Sequence, residues 1–197
     1  MQSRIRSRCC LSDDSLRVFL ACRLGDDAAA RAHGALQPLR DALVAEKLRW
    51  VPPRNYHVTL RFFGAQSTET VADVCRLVAS IAAVPRRAFR CRAASLLALP
   101  NWSRPAVLTL TVDSDGSLEQ LASACEALIA PRFGPADHPF RAHLTVARCR
   151  RARRLPPLVL PAAFEFELAS CGVYRSTLSA RGPRYDAVCE FDFAGAN

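Results

Sequence analysis

Polar and apolar residues alternate along Tyr56-His57-Val58-Thr59-Leu60-Arg61-Phe62-Phe63-Gly64, a run of β-branched and aromatic character that stops on a glycine. A period of two reads as a half-buried strand. Successive side chains point to opposite faces, so His57, Thr59 and Arg61 are expected on one face, with Val58, Leu60 and Phe62 on the other. The pattern returns in Phe140-Arg141-Ala142-His143-Leu144-Thr145-Val146-Ala147-Arg148, again with His and Thr two apart and apolar residues between. Matched H-x-T-[LV] strands therefore hold two of the chain's four histidines.

The rest of the pattern supplies the frame. Leu16 to Cys22 is a compact apolar run, expected as a central strand. Asp26 and Asp27 open an Ala-rich helix reaching about Glu46, with Leu36, Leu39, Leu43 and Val44 at helical spacing. Pro38 inside it either kinks the helix or divides it in two. Trp50-Val51-Pro52-Pro53 fixes an extended, rigid approach to the first His strand. A second amphipathic helix is expected from Ser67 to Val84, capped by Ser67 or Thr68 and stopped by Pro85. Ala88 to Leu99 and Ala106 to Val112 read as strands joined through a turn-rich loop. Ser117-Leu118-Glu119-Gln120 has the capping-box form, predicting a helix from there to about Ala130. Phe164 to Tyr174 and Arg184 to Phe193 read as two final strands, linked by residues 176–183.

The order β-α-β-α-β-β-α-β-β-β predicts an α+β fold with mainly antiparallel sheets flanked by helices. The repeated motif predicts two related lobes facing one another across a cleft. Residues 16–193 are expected to form one two-lobed domain, residues 1–15 a disordered basic leader and residues 194–197 a tail.

Composition narrows the partners. Half of the 197 residues are hydrophobic and only 8 are Gly, so the chain is globular. No apolar run approaches the roughly 18 residues of a membrane helix. The basic N-terminus is followed by no hydrophobic core of a secretion signal, so no membrane partner and a cytoplasmic location are expected. A net charge of +9 fits a polyanionic partner. It fits equally a biased base composition, since Lys47 is the only lysine. The nine cysteines show no C-x-x-C and no framework spacing, which predicts reduced, mostly buried thiols and no zinc. The run Arg148-Cys149-Arg150-Arg151-Ala152-Arg153-Arg154 is either a solvated loop or a surface that meets substrate phosphates.

Two histidines on facing strands can run acid–base phosphoryl chemistry, one taking a proton from the attacking oxygen while the other protonates the leaving oxygen. Imidazole does either near neutrality, with an unperturbed pKa of about 6.5. Thr59 and Thr145 can hydrogen-bond the phosphate oxygens. Arg61, by parity, or Arg148, at the strand end, can offset charge on the phosphoryl group. Parity alone would put Arg148 opposite His143, so a bulge or a strand end is required there. No carboxylate cluster or Gly-rich loop provides for a metal or cofactor. His33, in an amphipathic helix, and His138, in a Pro-flanked loop, read as structural.

The paired H-x-T-[LV] motifs resemble those of the two-histidine phosphoesterase superfamily. Their flanks look like its RNA 2′,3′-cyclic phosphodiesterase branch, also called LigT- or ThpR-like. The supporting residues are Leu16-Arg17-Val18-Phe19, Trp50 to Tyr56, Leu60 to Gly64, and a tail with Tyr174-Arg175-Ser176, Gly182 and Tyr185. The resemblance spans nearly the whole chain. It implies a bilobal fold and metal-free hydrolysis of a 2′,3′-cyclic phosphate to a 2′-phosphomonoester, by a cofactor-free monomer acting on RNA ends. It further implies His57 as acid, His143 as base and Arg148 on phosphate. Ala142 stands where the family usually has proline. The alternatives are a non-catalytic module that binds RNA ends, and a two-histidine phosphodiesterase of small cyclic nucleotides.

Overall fold

A computed structural model of the chain describes residues 15–46, 48–82, 87–149, 155, 158, 162–179 and 182–193. Strand β1 (Leu16–Arg23) buries Val18 to Cys22 without a break, as a strand covered on both faces does. Helix α1 (Asp26–Ala35) carries both aspartates in its first turn, where the helix dipole favours them. Pro38 lies in the first turn of a new helix, α2 (Gln37–Ala42). The proline thus divides the expected long helix, because at a helix start its missing N–H leaves no bond unmade. A 3₁₀ turn (Val44–Glu46), a two-residue strand β2 (Arg49–Trp50) and a second 3₁₀ turn (Pro53–Asn55) lead into β3 (His57–Gln66).

Helix α3 (Thr68–Ala82) turns Val71, Val74, Val78 and Ile81 inward, and Ser67 Oγ accepts the Thr70 N–H at 3.1 Å. The hairpin β4 (Phe89–Leu99) and β5 (Val107–Asp113) follows, then α4 (Ser117–Phe133) and β6 (His143–Arg148). The chain closes with β7 (Phe164–Leu168), β8 (Ser170–Ser179) and β9 (Gly182–Asp192).

Among the described residues the strands form one sheet in the order β7-β4-β5-β6-β3-β1-β8-β9, with β2 also on β6, and every pairing is antiparallel. The order is palindromic about its centre. A strand–helix–strand unit, β1 to β3, answers another, β5 to β6, and the two halves meet where β3 touches β6. The helices α1 to α4 pack on one face. Ala28 and Ala32, Leu39, Val74 and Val78, and Leu121 and Ile129 share a single core with Leu20, Val58, Leu110 and Leu144. The other face stays open around a small cluster of Phe19, Ala21, Tyr174 and Tyr185.

Four expectations change. The expected 164–174 strand is two strands broken at Ala169, because β7 pairs with β4 in one lobe while β8 pairs with β1 in the other. Most of the expected 176–183 linker is strand, since β8 and β9 stay paired as far as Ser179 and Gly182. Ser117 does not cap α4. Gly116 holds the N-cap at φ 80°, and Ser114 Oγ accepts the Leu118 N–H at 3.0 Å. Cys75 of α3 and Cys189 of β9 are not separate thiols but a disulfide, with Cα atoms 6.2 Å apart. Only the packing of α3 against β9 brings together two cysteines 114 positions apart. Residues 1–14 of the expected leader, the tail 194–197 and residues 150–154 of the basic run lie outside the described residues.

Candidate active site

The two lobes join at one residue pair, Val58 of β3 with Leu144 of β6, both fully buried. Each is the residue after a motif histidine, so the join holds the two histidines on the open face. Continuing this antiparallel register by one residue sets Thr59 across from His143, and His57 across from Thr145. Each lobe thereby supplies a hydroxyl beside the other lobe's imidazole.

One backbone device fixes both rings. His57 Nδ1 lies 2.7 Å from the Asn55 carbonyl, and His143 Nδ1 lies 2.7 Å from the Arg141 carbonyl. A carbonyl only accepts, so each Nδ1 must carry the proton, which leaves Nε2 for chemistry. The Asn55 carbonyl is itself held firmly. Asn55 is buried, its Nδ2 donates to Pro183 O at 2.8 Å, and neighbouring Tyr56 is fully buried with its carbonyl bonded to the Leu24 N–H.

Both motif strands carry a β-bulge at the same place. On β3 the register runs Arg23–His57, Ala21–Thr59, then Leu20–Arg61, which leaves Leu60 over. On β6 it runs Thr111–His143, Thr109–Thr145, then Leu108–Ala147, which leaves Val146 over. One extra residue turns the side chains that follow to the opposite face, on β3 until a second shift leaves Phe63 over. Phe62 is consequently on the open face, 72% exposed, with its ring 6.1 Å from Phe19, which also lies 5.0 Å from His57. Arg148 takes the equivalent position in the second lobe, exposed and close enough for its charge to act on His57. Arg61, expected beside His57, turns instead to the helix side. It is ion-paired with Glu126 of α4 and donates to Gly134 O at 2.6 Å. Burial pulls the Glu126 carboxyl upward, but the Arg61 and Ala136 hydrogen bonds outweigh it and hold the group below its usual value.

The His57 pKa is lowered to about 4. Burial is the main cause, opposed by the Asn55 carbonyl and reinforced by the charges of His143, Arg148 and Arg23. The free site therefore holds His57 neutral at neutral pH. Tyr185 and Phe19 close around its ring, at 5.2 and 5.0 Å.

The cleft has two unlike ends. Beyond Thr59 and His143 opens a cavity of about 550 Å³, lined by Phe62, His138, Phe140 and Arg141. At the opposite end, where β6 finishes and β3 begins, stand Arg148, Arg23 and Arg54. Among the described residues no group of three or more His, Cys, Asp or Glu side chains could hold a metal ion, and no helix is long and apolar enough to cross a membrane.

The model of the LigT like phosphoesterases matches the chain twice, over residues 24–109 and 110–185, one match to each lobe's motif. The chain belongs to this family. An RNA 2′,3′-cyclic phosphodiesterase of Aeropyrum pernix is 30% identical over 174 residues, covering 83% of this chain and 97% of its own. One of Thermus thermophilus is 29% identical over 192 residues, covering 91% of both. A crystal structure of a Thermus thermophilus protein superposes with a TM-score of 0.74 at 26% identity, over 92% of this chain and all of its own. E. coli LigT complexed with 3′-AMP shares the fold, with a TM-score of 0.70 at 21% identity, over 91% of this chain and 98% of its own.

In this LigT-like phosphoesterase the motif residues His57, Thr59, His143 and Thr145 come together on the open face, and Arg148 joins them at one end. His138, expected to be structural, lines the cavity. His33 accepts from Arg40 Nη1 at 3.1 Å and stays in the helical layer. Sequence reading missed Phe19, Phe62 and Arg23 as site residues. Phe19 and Arg23 sit in β1, whose uninterrupted burial hides its face. Phe62 was hidden because polar and apolar residues go on alternating through Leu60, where the bulge turns the strand over, and the break at Phe62-Phe63 falls at a second register shift.

Proposed function

We propose that this phosphoesterase hydrolyses RNA 2′,3′-cyclic phosphate ends to 2′-phosphomonoesters without a metal. The observation that carries the reading is the pair of imidazoles, each tied through Nδ1 to a backbone carbonyl and presenting Nε2 to one cleft. The relatives named as RNA 2′,3′-cyclic phosphodiesterases support the substrate. In the reaction His143 Nε2 takes a proton from water as its oxygen bonds to phosphorus. The bond from phosphorus to O3′ breaks, and His57 Nε2–H protonates O3′. The products are a free 3′-hydroxyl and a 2′-phosphate. Thr59 and Thr145 hold the non-bridging oxygens, and Arg148 offsets the charge that gathers on them. Arg61 supports the site through α4 and the 134–136 segment.

His57 must gain a proton to act as acid, although the free site keeps it neutral. An anionic phosphate set between His57 and Arg148 opposes the field of the surrounding cations and raises its pKa. Substrate binding thus charges the acid. The test is incubation of the protein in EDTA with an oligoribonucleotide ending in a 2′,3′-cyclic phosphate, alongside His57→Ala and His143→Ala. Turnover should survive chelation, and each substitution should cost roughly 10²–10⁴-fold. Activity that vanished in EDTA and returned with zinc, magnesium or manganese would refute the metal-free reaction. A variant with near-normal turnover would remove that histidine from it.

A further inference from the structure

The basic end of the cleft is larger than one phosphate requires. Arg23 ends β1 opposite His57, donates from Nη2 to the Arg54 carbonyl at 3.1 Å and lies over the Tyr174 ring at 5.9 Å. Arg54 stands exposed in the turn just before His57. Arg49, also exposed, pairs in register with Arg148 across β2 and β6. Arg49, Arg54 and Arg148 line one hollow with Tyr185, of about 30 Å³, too small for a nucleobase.

Among the described residues no ion pair involves any of these four arginines, whereas Arg61, Arg76, Arg132, Arg175 and Arg184 each have a carboxylate partner. The guanidinium groups of Arg49, Arg54 and Arg148 share this hollow with no ion-paired carboxylate, with Arg23 beside it on the Arg54 carbonyl, and like charges so placed repel one another unless an anion joins them. The guanidinium fork suits phosphate oxygens. Arg23 and Arg148 already act on His57, so this surface continues directly from the reacting centre.

We propose that Arg23, Arg49 and Arg54 form a second phosphate site, which holds the backbone phosphate 5′ of the terminal nucleotide. The enzyme then selects an oligoribonucleotide over a mononucleotide cyclic phosphate. The inference rests on the cyclic phosphodiesterase reading only for the strand that delivers this phosphate. Arg148 serves the reacting phosphate, and the other three serve its neighbour.

The test compares kcat/KM for a nucleoside 2′,3′-cyclic phosphate with that for a tetraribonucleotide ending in the same cyclic nucleotide, in wild type and in Arg49→Gln/Arg54→Gln. Wild type should favour the tetranucleotide by roughly tenfold or more, about one charge-assisted contact. The double variant should bring the ratio towards one, chiefly through KM. A second readout needs no turnover: anisotropy of a labelled tetranucleotide ending in a 3′-phosphate, titrated in rising salt. The variant should bind more weakly and lose about 0.7 of salt slope per phosphate released. An unchanged ratio, or equal loss on both substrates, overturns the second site, as does unchanged binding. If wild type turns over neither substrate, the cyclic phosphodiesterase reading fails. Weaker binding by the variant would then still uphold the site, and equal binding would end it.

Discussion

Which ring nitrogen of each motif histidine stays free is chosen by a carbonyl two residues earlier, and its proton affinity by what surrounds the ring. His57 sits among Phe19, Tyr185 and two guanidinium groups, and burial with those charges takes its pKa to about 4. In the proposed reaction, bound phosphate must raise that value. Because kcat/KM reports the free enzyme and kcat the complex, one limb of the pH profile should move on saturation. With His57 as acid, the descending limb of kcat should lie at higher pH than that of kcat/KM. With His57 as base, the ascending limb would move, and steady-state rates from about pH 4 to 9 separate the two. The same shift links folding to pH. Between about pH 4 and 6.5 the unfolded ring binds a proton that the folded ring does not. Stability therefore falls as pH drops through that window, and His57→Ala should flatten the slope of urea midpoint against pH. The histidines were legible because each motif is contiguous. Their setting was not, since Arg23 and Phe19 reach His57 only through strand pairing.

At the scale of elements, the bulges at Leu60 and Val146 decide which arginine faces the cleft. Parity favoured Arg61, whereas the register places Arg148 on the open face and Arg61 under the sheet. A bulge leaves little trace where the alternation runs on through it, as in Thr59-Leu60-Arg61, or where both phases are apolar, as in Val146-Ala147. The helices and most strands were readable from periodicity. The exchange of strands between lobes at Ala169 was not, because it depends on pairing partners distant in sequence. Arg61 is 7% exposed, and its ties are to Glu126 and Gly134. Glu126→Ala leaves a buried cation with one carbonyl and frees the Ala136 N–H. It should cost about 2 kcal/mol, read as a lower urea midpoint at unchanged m-value. A change below about 0.5 kcal/mol would mean that the pair contributes no more than an ordinary surface contact.

The whole molecule is a two-fold design made directional. The lobes match strand for strand, and each offers H-x-T and a bulge, so a fully symmetric cleft would admit the cyclic phosphate either way round. Five residues after each histidine the symmetry breaks, with Phe62 on one strand and Arg148 on the other. Opposite the histidines it breaks again, with Arg23 facing His57 and Thr111 facing His143. One end of the cleft thus presents an exposed ring over a cavity of about 550 Å³, and the other presents guanidinium groups. A nucleotide has the same polarity, since its base is a flat apolar body and its strand a line of phosphates. If the proposed substrate binds, base on Phe62 and strand over the arginines is the expected docking, because base–aromatic stacking is worth about 1–3 kcal/mol. Only one ester oxygen then lies beside the acid, so hydrolysis should give a single isomer. With O3′ beside His57 that isomer is the 2′-phosphate. Phosphorus NMR of the product distinguishes the two directly. Phe62→Ala should admit the 3′-phosphate at a level that wild type does not show. Equal amounts of both isomers from wild type would mean that the unlike ends do not orient the substrate.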